Sequence, residues 1–165
     1  MEVQIRSFEI KDTQSILEII NYNILNSTAL YDYKTRDFET QKTILEEKIE
    51  KGFPVIVAES DGKIVGFGMY SEFRFREAYK FTVEHSVYVS SDEMGKGIGK
   101  KIMTQLIIIA KAQGLHTMIG VIDSENKSSI IFHEQFGFKT VGIIKESGYK
   151  FDRWLDSVIM QLLLE

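Results

Sequence analysis

The chain has 165 residues, 44% of them hydrophobic and 27% charged, with a single proline, and this composition predicts one globular domain over residues 1–165. A formal net charge of −4 argues against a general nucleic-acid-binding protein, and the absence of cysteine excludes disulfides, a thiol nucleophile and Cys-ligated zinc. The amino terminus, MEVQIRSFEIKD, lacks the basic and then apolar pattern of a signal peptide. No apolar run approaches the roughly 20 residues that span a bilayer. We therefore expect a soluble, cytoplasmic protein without a membrane partner.

The amino-terminal third predicts one strand and two helices. Residues Val3–Phe8 alternate apolar and polar side chains as a half-buried strand does. Asp12 is the predicted N-cap of the first helix, and Asp37 is the predicted N-cap of a second helix that stops at Gly52. Pro54 then prevents the second helix from continuing.

The middle of the chain changes to the period of strands. VIVAES, which begins at Val55, and KIVGFGMYSEF are joined by Asp61-Gly62, and this pair predicts a two-residue hairpin turn. A further strand is predicted from Phe81 to Val89.

The second half of the chain predicts two more helices and three short strands. The first of these helices follows a glycine-rich loop and ends at Gly114. The remaining predicted elements are a strand at Met118–Ile122, a helix at Lys127–Phe136 closed by Gly137, and strands at Phe138–Ile144 and Ser157–Leu164. We therefore expect an α/β fold with a mixed, mostly antiparallel central sheet flanked by helices.

The glycine-rich loop, GKGIGKK, lies between the strand that ends at Val89 and an apolar helix. The first amides of a helix have no partner within the helix, so a glycine-rich entry lets an anionic group approach them closely. Lys96, Lys100 and Lys101 add positive charge. A tight turn without a ligand is the alternative interpretation. The spacing matches neither the Walker phosphate loop nor the dinucleotide-binding pattern G-x-G-x-x-G.

GKGIGKK, followed later by NKSSIIFHEQFGF, resembles the acetyl-CoA site of the GNAT N-acetyltransferase superfamily, whose loop reads [QR]-x-x-G-x-[GA]. Gly97 and Gly99 match this pattern, and Met94 stands where the family usually has Gln or Arg. The resemblance implies the acyl-CoA N-acyltransferase fold, with acetyl-CoA as cosubstrate and its pyrophosphate held mainly by backbone amides. The loop residues that it assigns to the cofactor are Gly95, Lys96, Gly97, Ile98, Gly99 and Lys100.

Three blocks carry a narrower resemblance. FREAYKFTVEHSVYV, SSIIFHEQFGF and SGYKFDRWLDSVIMQ occur in the same order as in the phosphinothricin and methionine-sulfone N-acetyltransferase branch. This resemblance implies acetyl transfer to the α-amino group of a small amino acid such as phosphinothricin, methionine sulfone or methionine sulfoximine, in a homodimeric enzyme.

Acetyl transfer to an amine requires a neutral amine, a stabilised oxyanion and a proton for the leaving thiolate. Glu84 lies in the middle of a predicted strand, where a carboxylate could equally be a solvated edge residue. The resemblance places Glu84 at the general-base position, acting directly or through a water on the substrate ammonium.

His133 is the second candidate for proton transfer. In the helix pattern N-x-x-A-x-x-x-Y of the superfamily, Asn126, Ser129 and His133 occupy the three defined positions, so His133 replaces the tyrosine. The resemblance assigns His133 as a partner of the base or as an acid, and both roles stay open. Tyr88 or another tyrosine is an alternative proton donor to sulfur.

The remaining histidines predict no metal site. His85 is adjacent to Glu84 but points to the opposite face of the predicted strand, and His116 follows the third predicted helix without an obvious ligand partner.

The resemblance also assigns residues to the cofactor arm and to the acceptor. The pantetheine arm is expected beside Val87, Tyr88 and Val89, and Asn126, a plausible helix N-cap, is expected to contact the cofactor as well. Guanidinium groups suit carboxylate, phosphinate or sulfonyl oxygens. The residues assigned to the acceptor are Tyr31, Arg74, Arg76 and Glu84.

Two other functions stay open from the sequence. One is a non-catalytic acetyl-CoA-binding module that has kept the loop without the acceptor chemistry. The other is acetylation of protein or peptide amino termini, which would require an open groove.

Overall fold

The computed structural model describes residues 2–165. The helices are α1 (Thr13–Asn26), α2 (Phe38–Glu50), α3 (Ile98–Ala112) and α4 (Lys127–Glu134). The strands are β1 (Gln4–Ser7), β2 (Val55–Ser60), β3 (Lys63–Glu72), β4 (Thr82–Val89), β5 (Thr117–Asp123), β6 (Lys139–Lys150) and β7 (Arg153–Leu163). Single turns of 3-10 helix lie at Ile10–Asp12, Glu77–Tyr79 and Ser91–Glu93.

The strands form one sheet in the order β1-β2-β3-β4-β5-β7-β6. Every described pair of strands is antiparallel except β4 with β5, which confirms the predicted mixed, mostly antiparallel sheet. The parallel pair joins only Thr82–Glu84 to Thr117–Ile119, and beyond these residues β4 and β5 separate. The sheet is therefore forked at its centre, which means that β4 and β5 diverge after Glu84 and Ile119.

Helices cover both faces of the sheet, because successive residues of a strand point to opposite faces. In β2, Val57 packs in the apolar layer beneath α1 and α2, whereas its neighbour Ile56 packs beneath α3. In β4, Tyr88 belongs to the layer beneath α1 and α2, and Val87 belongs to the layer beneath α3. Glu84 and His85 consequently point to opposite faces, as the alternation predicts. None of the helices within residues 2–165 has the length and apolar character needed to cross a bilayer.

The two predicted helix caps have different outcomes. Asp37 caps α2 as predicted, because its carboxylate accepts a hydrogen bond from the amide of Thr40 at 2.7 Å. The prediction that Asp12 caps α1 is wrong. A 3-10 turn precedes that helix, and the Asp12 carboxylate instead accepts from the Arg6 guanidinium and from the amide of Glu9, each at 2.8 Å.

The last two strands are longer than predicted and form a single hairpin. β6 continues to Lys150 beyond the predicted end at Ile144, and β7 starts at Arg153 before the predicted start at Ser157. Phe151 and Asp152 form the turn at φ values of 53° and 57°. Glycine usually marks such left-handed turns, so a turn made of Phe and Asp is not predicted from its residue types.

Candidate active site

A cleft of about 270 Å³ opens where β4 and β5 separate. Its walls come from the segment after α1, most of β4, the end of β5, and α4 with the residue before it. The cleft brings together six of the residues that the sequence assigned to a site, namely Tyr31, Glu84, Val87, Tyr88, Asn126 and His133.

The glycine loop enters α3 through backbone conformations that favour glycine. Gly95 and Gly97 have φ values of +79° and +78°, and a Cβ on either would meet no atom within 4 Å. The first main-chain hydrogen bond of α3 runs from the Lys101 amide to the Gly97 carbonyl, at 3.2 Å. No side chain of residues 2–165 caps this end, so the amides of the first turn are open to an anion.

The lysines around this loop differ in their surroundings. Lys96 pairs with Glu93 at 2.8 Å, and the Lys101 ammonium donates to the Val3 carbonyl at 3.3 Å, which directs it towards β1. The side chain of Lys100 is exposed. The backbone amides, rather than three free lysines, are thus the main positive feature of the loop.

The end of β4 offers backbone groups to a ligand. Val87, Tyr88 and Val89 pair on one side with Gly68, Phe67 and Gly66 of β3. On the other side, no strand within residues 2–165 pairs with β4 beyond Glu84. This open edge can pair with the amides of an extended ligand as a further strand would.

Asn126 is the N-cap of α4, as the capping interpretation predicted. Its Oδ1 accepts hydrogen bonds from the Ser129 amide at 3.2 Å and from the Ser128 hydroxyl at 3.0 Å. Asn126 also lines the cleft.

Glu84 lies opposite Ser71 of β3, on the face of the sheet that carries α1 and α2. Its side chain reaches solvent, but the surrounding protein removes enough water to raise the pKa of this carboxyl above its ordinary value. The nearby positive charge of Lys48 lowers the pKa of Glu84 and partly opposes this effect. A carboxylate with a raised pKa is a stronger base than an ordinary glutamate.

His133 contacts His85 rather than Glu84. The two Nε2 atoms are 3.0 Å apart, and His133 Nδ1 lies 2.6 Å from the Ser129 carbonyl oxygen. His85 is 8% exposed and His133 is 6% exposed. Sequence reasoning missed this pair, because 48 positions separate the two residues and no local pattern links them.

The two candidate tyrosines occupy opposite environments. Tyr88 packs against Phe67 with ring centroids 5.3 Å apart, and its burial raises its pKa to about 12, which makes it a weaker acid than an ordinary tyrosine. Tyr31 is partly exposed and its ring lies against Gly148, where a Cβ would come within 2.6 Å of it. The Tyr31 hydroxyl lies 3.4 Å from the Ser157 hydroxyl.

Arg74 and Arg76 do not line this cleft. They lie on an exposed segment after β3, with their guanidinium groups over the rings of Phe73 and Phe75 at 5.3 and 4.7 Å. Arg74 lines a neighbouring hollow that it shares with Lys48 of α2.

Polar contacts that sequence reasoning missed hold the segment carrying Tyr31. Lys150, at the end of β6, is buried, and its ammonium donates to the carbonyls of Ser27 and Leu30 at 2.8 and 2.6 Å. Asp123 accepts from the Thr28 hydroxyl at 2.7 Å and from the Arg153 guanidinium at 2.8 Å. The segment after α1 is therefore anchored to the far half of the sheet across the cleft.

Comparison with known proteins agrees with this geometry. The family described as "Acetyltransferase (GNAT) domain" matches residues 5–159. The L-methionine sulfoximine/L-methionine sulfone acetyltransferase of Pseudomonas aeruginosa is 38% identical, over 100% of this chain and 96% of that protein. The phosphinothricin N-acetyltransferase of Alcaligenes faecalis is 34% identical, over 93% of this chain and 77% of that protein.

Two solved structures superpose over nearly the whole chain. An acetyltransferase from Salmonella typhimurium, solved with its cofactor acetyl-CoA, has a TM-score of 0.97 at 35% identity and covers 100% of this chain and 95% of its own. A ribosomal-protein-alanine N-acetyltransferase from Brucella melitensis has a TM-score of 0.96 at 37% identity and covers 97% of this chain and 99% of its own. The resemblance inferred from the loop is confirmed, and the chain belongs to the GNAT acetyltransferase family.

Proposed function

We propose that this protein transfers the acetyl group of acetyl-CoA to the α-amino group of a small amino acid of the methionine sulfone, methionine sulfoximine or phosphinothricin type. The observation that carries the proposal is the forked sheet, because it leaves the edge of β4 open from Glu84, whose pKa is raised, to Val89, and the uncapped start of α3 follows the end of the same strand. The names of the relatives from Pseudomonas aeruginosa and Alcaligenes faecalis support this choice of acceptors.

The residues at the fork fit acetyl-CoA. The pyrophosphate would lie against the amides of the loop residues Gly95–Lys100, where a Cβ on Gly97 would stand in otherwise open space. The pantetheine arm would pair with the open edge of Val87–Val89, and Asn126 would contact the cofactor from the start of α4. Bound there, acetyl-CoA supplies an activated acetyl thioester.

Glu84 is the proposed general base. An α-ammonium group must lose a proton before its nitrogen can attack the thioester carbonyl, and a carboxylate with a raised pKa accepts that proton readily. Direct transfer between the two substrates is proposed, because the chain has no cysteine to carry an acetyl group.

The acceptor is proposed to lie between Glu84 and the segment that carries Tyr31. The anchoring of this segment by Lys150 and Asp123 gives the Tyr31 ring a fixed place at the cleft. Arg74 and Arg76 are the proposed partners of the acceptor's oxygen atoms from outside the cleft, because Arg74 shares a hollow with Lys48, whose charge acts on Glu84.

A homodimer is part of the proposal. β6 is an edge strand of the sheet, and it exposes large apolar side chains together with the neighbouring β7. These exposed side chains are Val141, Ile143, Ile144, Tyr149 and Trp154. Association of two copies would cover this surface. Light scattering on Ile143→Glu should then give the mass of a monomer, whereas Ile131→Glu, at an exposed position of α4, should leave the dimer intact.

A cytoplasmic location completes the proposal, because the reaction needs a compartment in which acetyl-CoA is available. No nucleic-acid partner is proposed, in view of the net charge of −4.

Release of free CoA thiol tests the proposed function directly. The purified protein would be given acetyl-CoA with methionine sulfone, methionine sulfoximine, phosphinothricin or unmodified methionine, and mass spectrometry would identify the acetylated product. We expect turnover with the sulfone, sulfoximine or phosphinic acceptors. Binding of acetyl-CoA without turnover of any amine would instead support a non-catalytic module.

Acetylation of protein amino termini is the second candidate, because the Brucella melitensis neighbour carries the name of such an enzyme. A peptide with an amino-terminal alanine belongs in the same assay. Faster turnover of this peptide than of every free amino acid would contradict the proposed acceptor class.

A further inference from the structure

The imidazoles of His85 and His133 form a buried pair on the side of the sheet opposite to Glu84. His85 comes from β4 and His133 comes from α4. Their Nε2 atoms are 3.0 Å apart, and the rings of both histidines contact the ring of Phe138 edge-on. The pair thus connects the edge of the cleft to the helix that carries Asn126.

The hydrogen-bond partners fix where the protons lie. A carbonyl oxygen can only accept, so His133 Nδ1, at 2.6 Å from the Ser129 carbonyl, must carry a proton. In a neutral ring His133 Nε2 is then an acceptor, and His85 Nε2 must donate to it. His85 Nδ1 is left without a proton, and it is buried without a partner among residues 2–165.

The surroundings keep both rings neutral. Burial, and then the neighbouring His133, lower the pKa of His85 to about 3. Burial also lowers the pKa of His133, against the opposing effect of the Ser129 carbonyl. No carboxylate of the described residues acts on either ring, and the Ser129 carbonyl, which alone favours the charged form of His133, is outweighed by burial.

The pair sits where the sheet divides. The last rung between β4 and β5 joins Glu84 to Ile119, and the next residues along the two strands are His85 and Gly120. A Cβ on Gly120 would lie 3.1 Å from the Nε2 atom of each histidine, so the two rings occupy the space that a side chain would need. The imidazoles therefore link β4 to α4 across β5 at the point where the cleft begins.

We propose that His85 is a positioning residue, which locks His133 as its Nδ1–H tautomer by donating from Nε2 and so holds α4 at a fixed distance from β4. The consequence for His133 is that both of its nitrogens are engaged within the protein. It neither takes a proton from the acceptor nor gives one to sulfur, and it too is a positioning residue. This role rests on the proposed function, because the fixed distance sets the width of the cleft for acetyl-CoA beside Glu84.

Two-bond ¹H–¹⁵N correlation spectra of the wild-type protein test the proton positions without any need for activity. The chain has three histidines, and the exposed His116 provides the reference signal. We expect His133 to be protonated at Nδ1 and His85 at Nε2, with both tautomers unchanged between about pH 7 and pH 8, a range above the ordinary pKa of a histidine. Protonation of His133 at Nε2, or of either ring at both nitrogens within that range, would overturn the proposal.

Two substitutions of His85 test the positioning role. His85→Leu removes the donor, whereas His85→Gln keeps an N–H donor at a similar reach. We expect His85→Leu to lower kcat/KM about 10- to 100-fold, as a small misplacement of reacting groups does, and His85→Gln to recover most of that loss. Equal activity of His85→Leu and wild type, or an equal loss in both variants, would overturn the role.

The spectra and the His85 substitutions distinguish failure of the proposed function from failure of the positioning role. If the wild type acetylates no amine, the proposed function fails while the spectra still decide the tautomers. Should His85→Leu not fold, His85→Gln and the wild-type spectra remain. In that case, loss of the His133 Nδ1–H tautomer in folded His85→Gln would count against the hydrogen-bonded lock.

Discussion

The proposed acetyl-CoA side of the cleft comes mainly from one continuous stretch, Val87 to Lys100, to which the start of α4 adds Asn126, whereas the proposed acceptor side brings together residues from segments far apart in the chain. The first side depends mainly on backbone groups, since a strand edge and a helix start present the amides. The second side depends on side chains such as Glu84 and Tyr31, and Lys150 and Asp123 anchor the segment that carries Tyr31. A backbone site leaves a spacing pattern in the sequence, whereas a site of converging side chains leaves scattered residues without a shared pattern.

Replacing Glu84 should have the largest effect, and this effect should be confined to the acceptor side. We expect Glu84→Gln to lower kcat about 10²- to 10⁴-fold, the usual contribution of a general base, while the Kd for acetyl-CoA stays unchanged. Thiol release and calorimetry measure the two quantities. Glu72→Gln is the control, because Glu72 lies on the neighbouring strand and also acts on Lys48. A Glu84→Gln enzyme with normal kcat would remove the base from this position.

Replacing Gly97 should instead impair the acetyl-CoA side of the cleft. In Gly97→Val a branched side chain would enter the open space in front of the α3 amides, and we expect the Kd for acetyl-CoA to rise about 100-fold or more. Gly114→Val controls for backbone strain alone, because Gly114 has a φ of +73° in open space at the other end of the helix.

Gly99→Ala sharpens the same test. A Cβ at this position would lie 3.6 to 3.7 Å from Phe132 and Val89, an ordinary contact within the protein, so we expect acetyl-CoA to bind normally. Normal binding by Gly97→Val, or equal losses in Gly97→Val and Gly114→Val, would contradict the placement of the pyrophosphate.

Lys150 tests whether the acceptor side depends on anchored side chains. Lys150→Met leaves the carbonyls of Ser27 and Leu30 without their donor, and we expect the free energy of unfolding to fall by about 2 kcal/mol. The KM for the amino acid should rise while the KM for acetyl-CoA changes little. Lys145→Met, which removes an exposed lysine paired with Asp156, should change neither KM. An increase in the KM for acetyl-CoA alone would show that the segment serves the other side.

The smallest expected effect is a shift in the pH profile. Glu84 must be ionised to act as the base, so kcat/KM should rise with pH as this carboxyl loses its proton, at a pH above that of an ordinary glutamate. The charge of Lys48 lowers the pKa of Glu84, so Lys48→Met should move the rise to still higher pH. Lys51→Met, one turn further along and close to Glu72, should leave the profile in place. A shift to lower pH in Lys48→Met would exclude Glu84 as the titrating group.

What the sequence predicts well in this chain is local. The Asp61-Gly62 turn, the Asp37 cap and the glycine entry to α3 each depend on a few adjacent residues, and the structure contains all three. The Phe151-Asp152 turn has no glycine and was missed. Asp12 has the right residue type for a cap, but the Arg6 guanidinium is a stronger partner for its carboxylate.

The pairing of His85 with His133 illustrates what the sequence does not predict. Strand alternation correctly placed His85 on the face opposite to Glu84, but only the packing of α4 on the sheet brings His133 to it. The same holds for the contact of Tyr31 with Gly148 and for the two carbonyls that Lys150 binds. These contacts join distant parts of the chain, so they cannot be predicted from residue type and local spacing.

The short parallel pairing between β4 and β5 has a consequence for how the chain reaches its native state. Strands β1 to β4 are neighbours in both sequence and space, and β5, β6 and β7 form a second such group. Each group contains one hairpin closed by a two-residue turn, β2–β3 at Asp61-Gly62 and β6–β7 at Phe151-Asp152, whereas the rungs from Thr82–Glu84 to Thr117–Ile119 require a crossover through α3. We therefore expect the two hairpins to gain structure early and the two groups to dock late, so that the junction of β4 with β5, where the thioester is proposed to bind, is the last part of the sheet to form.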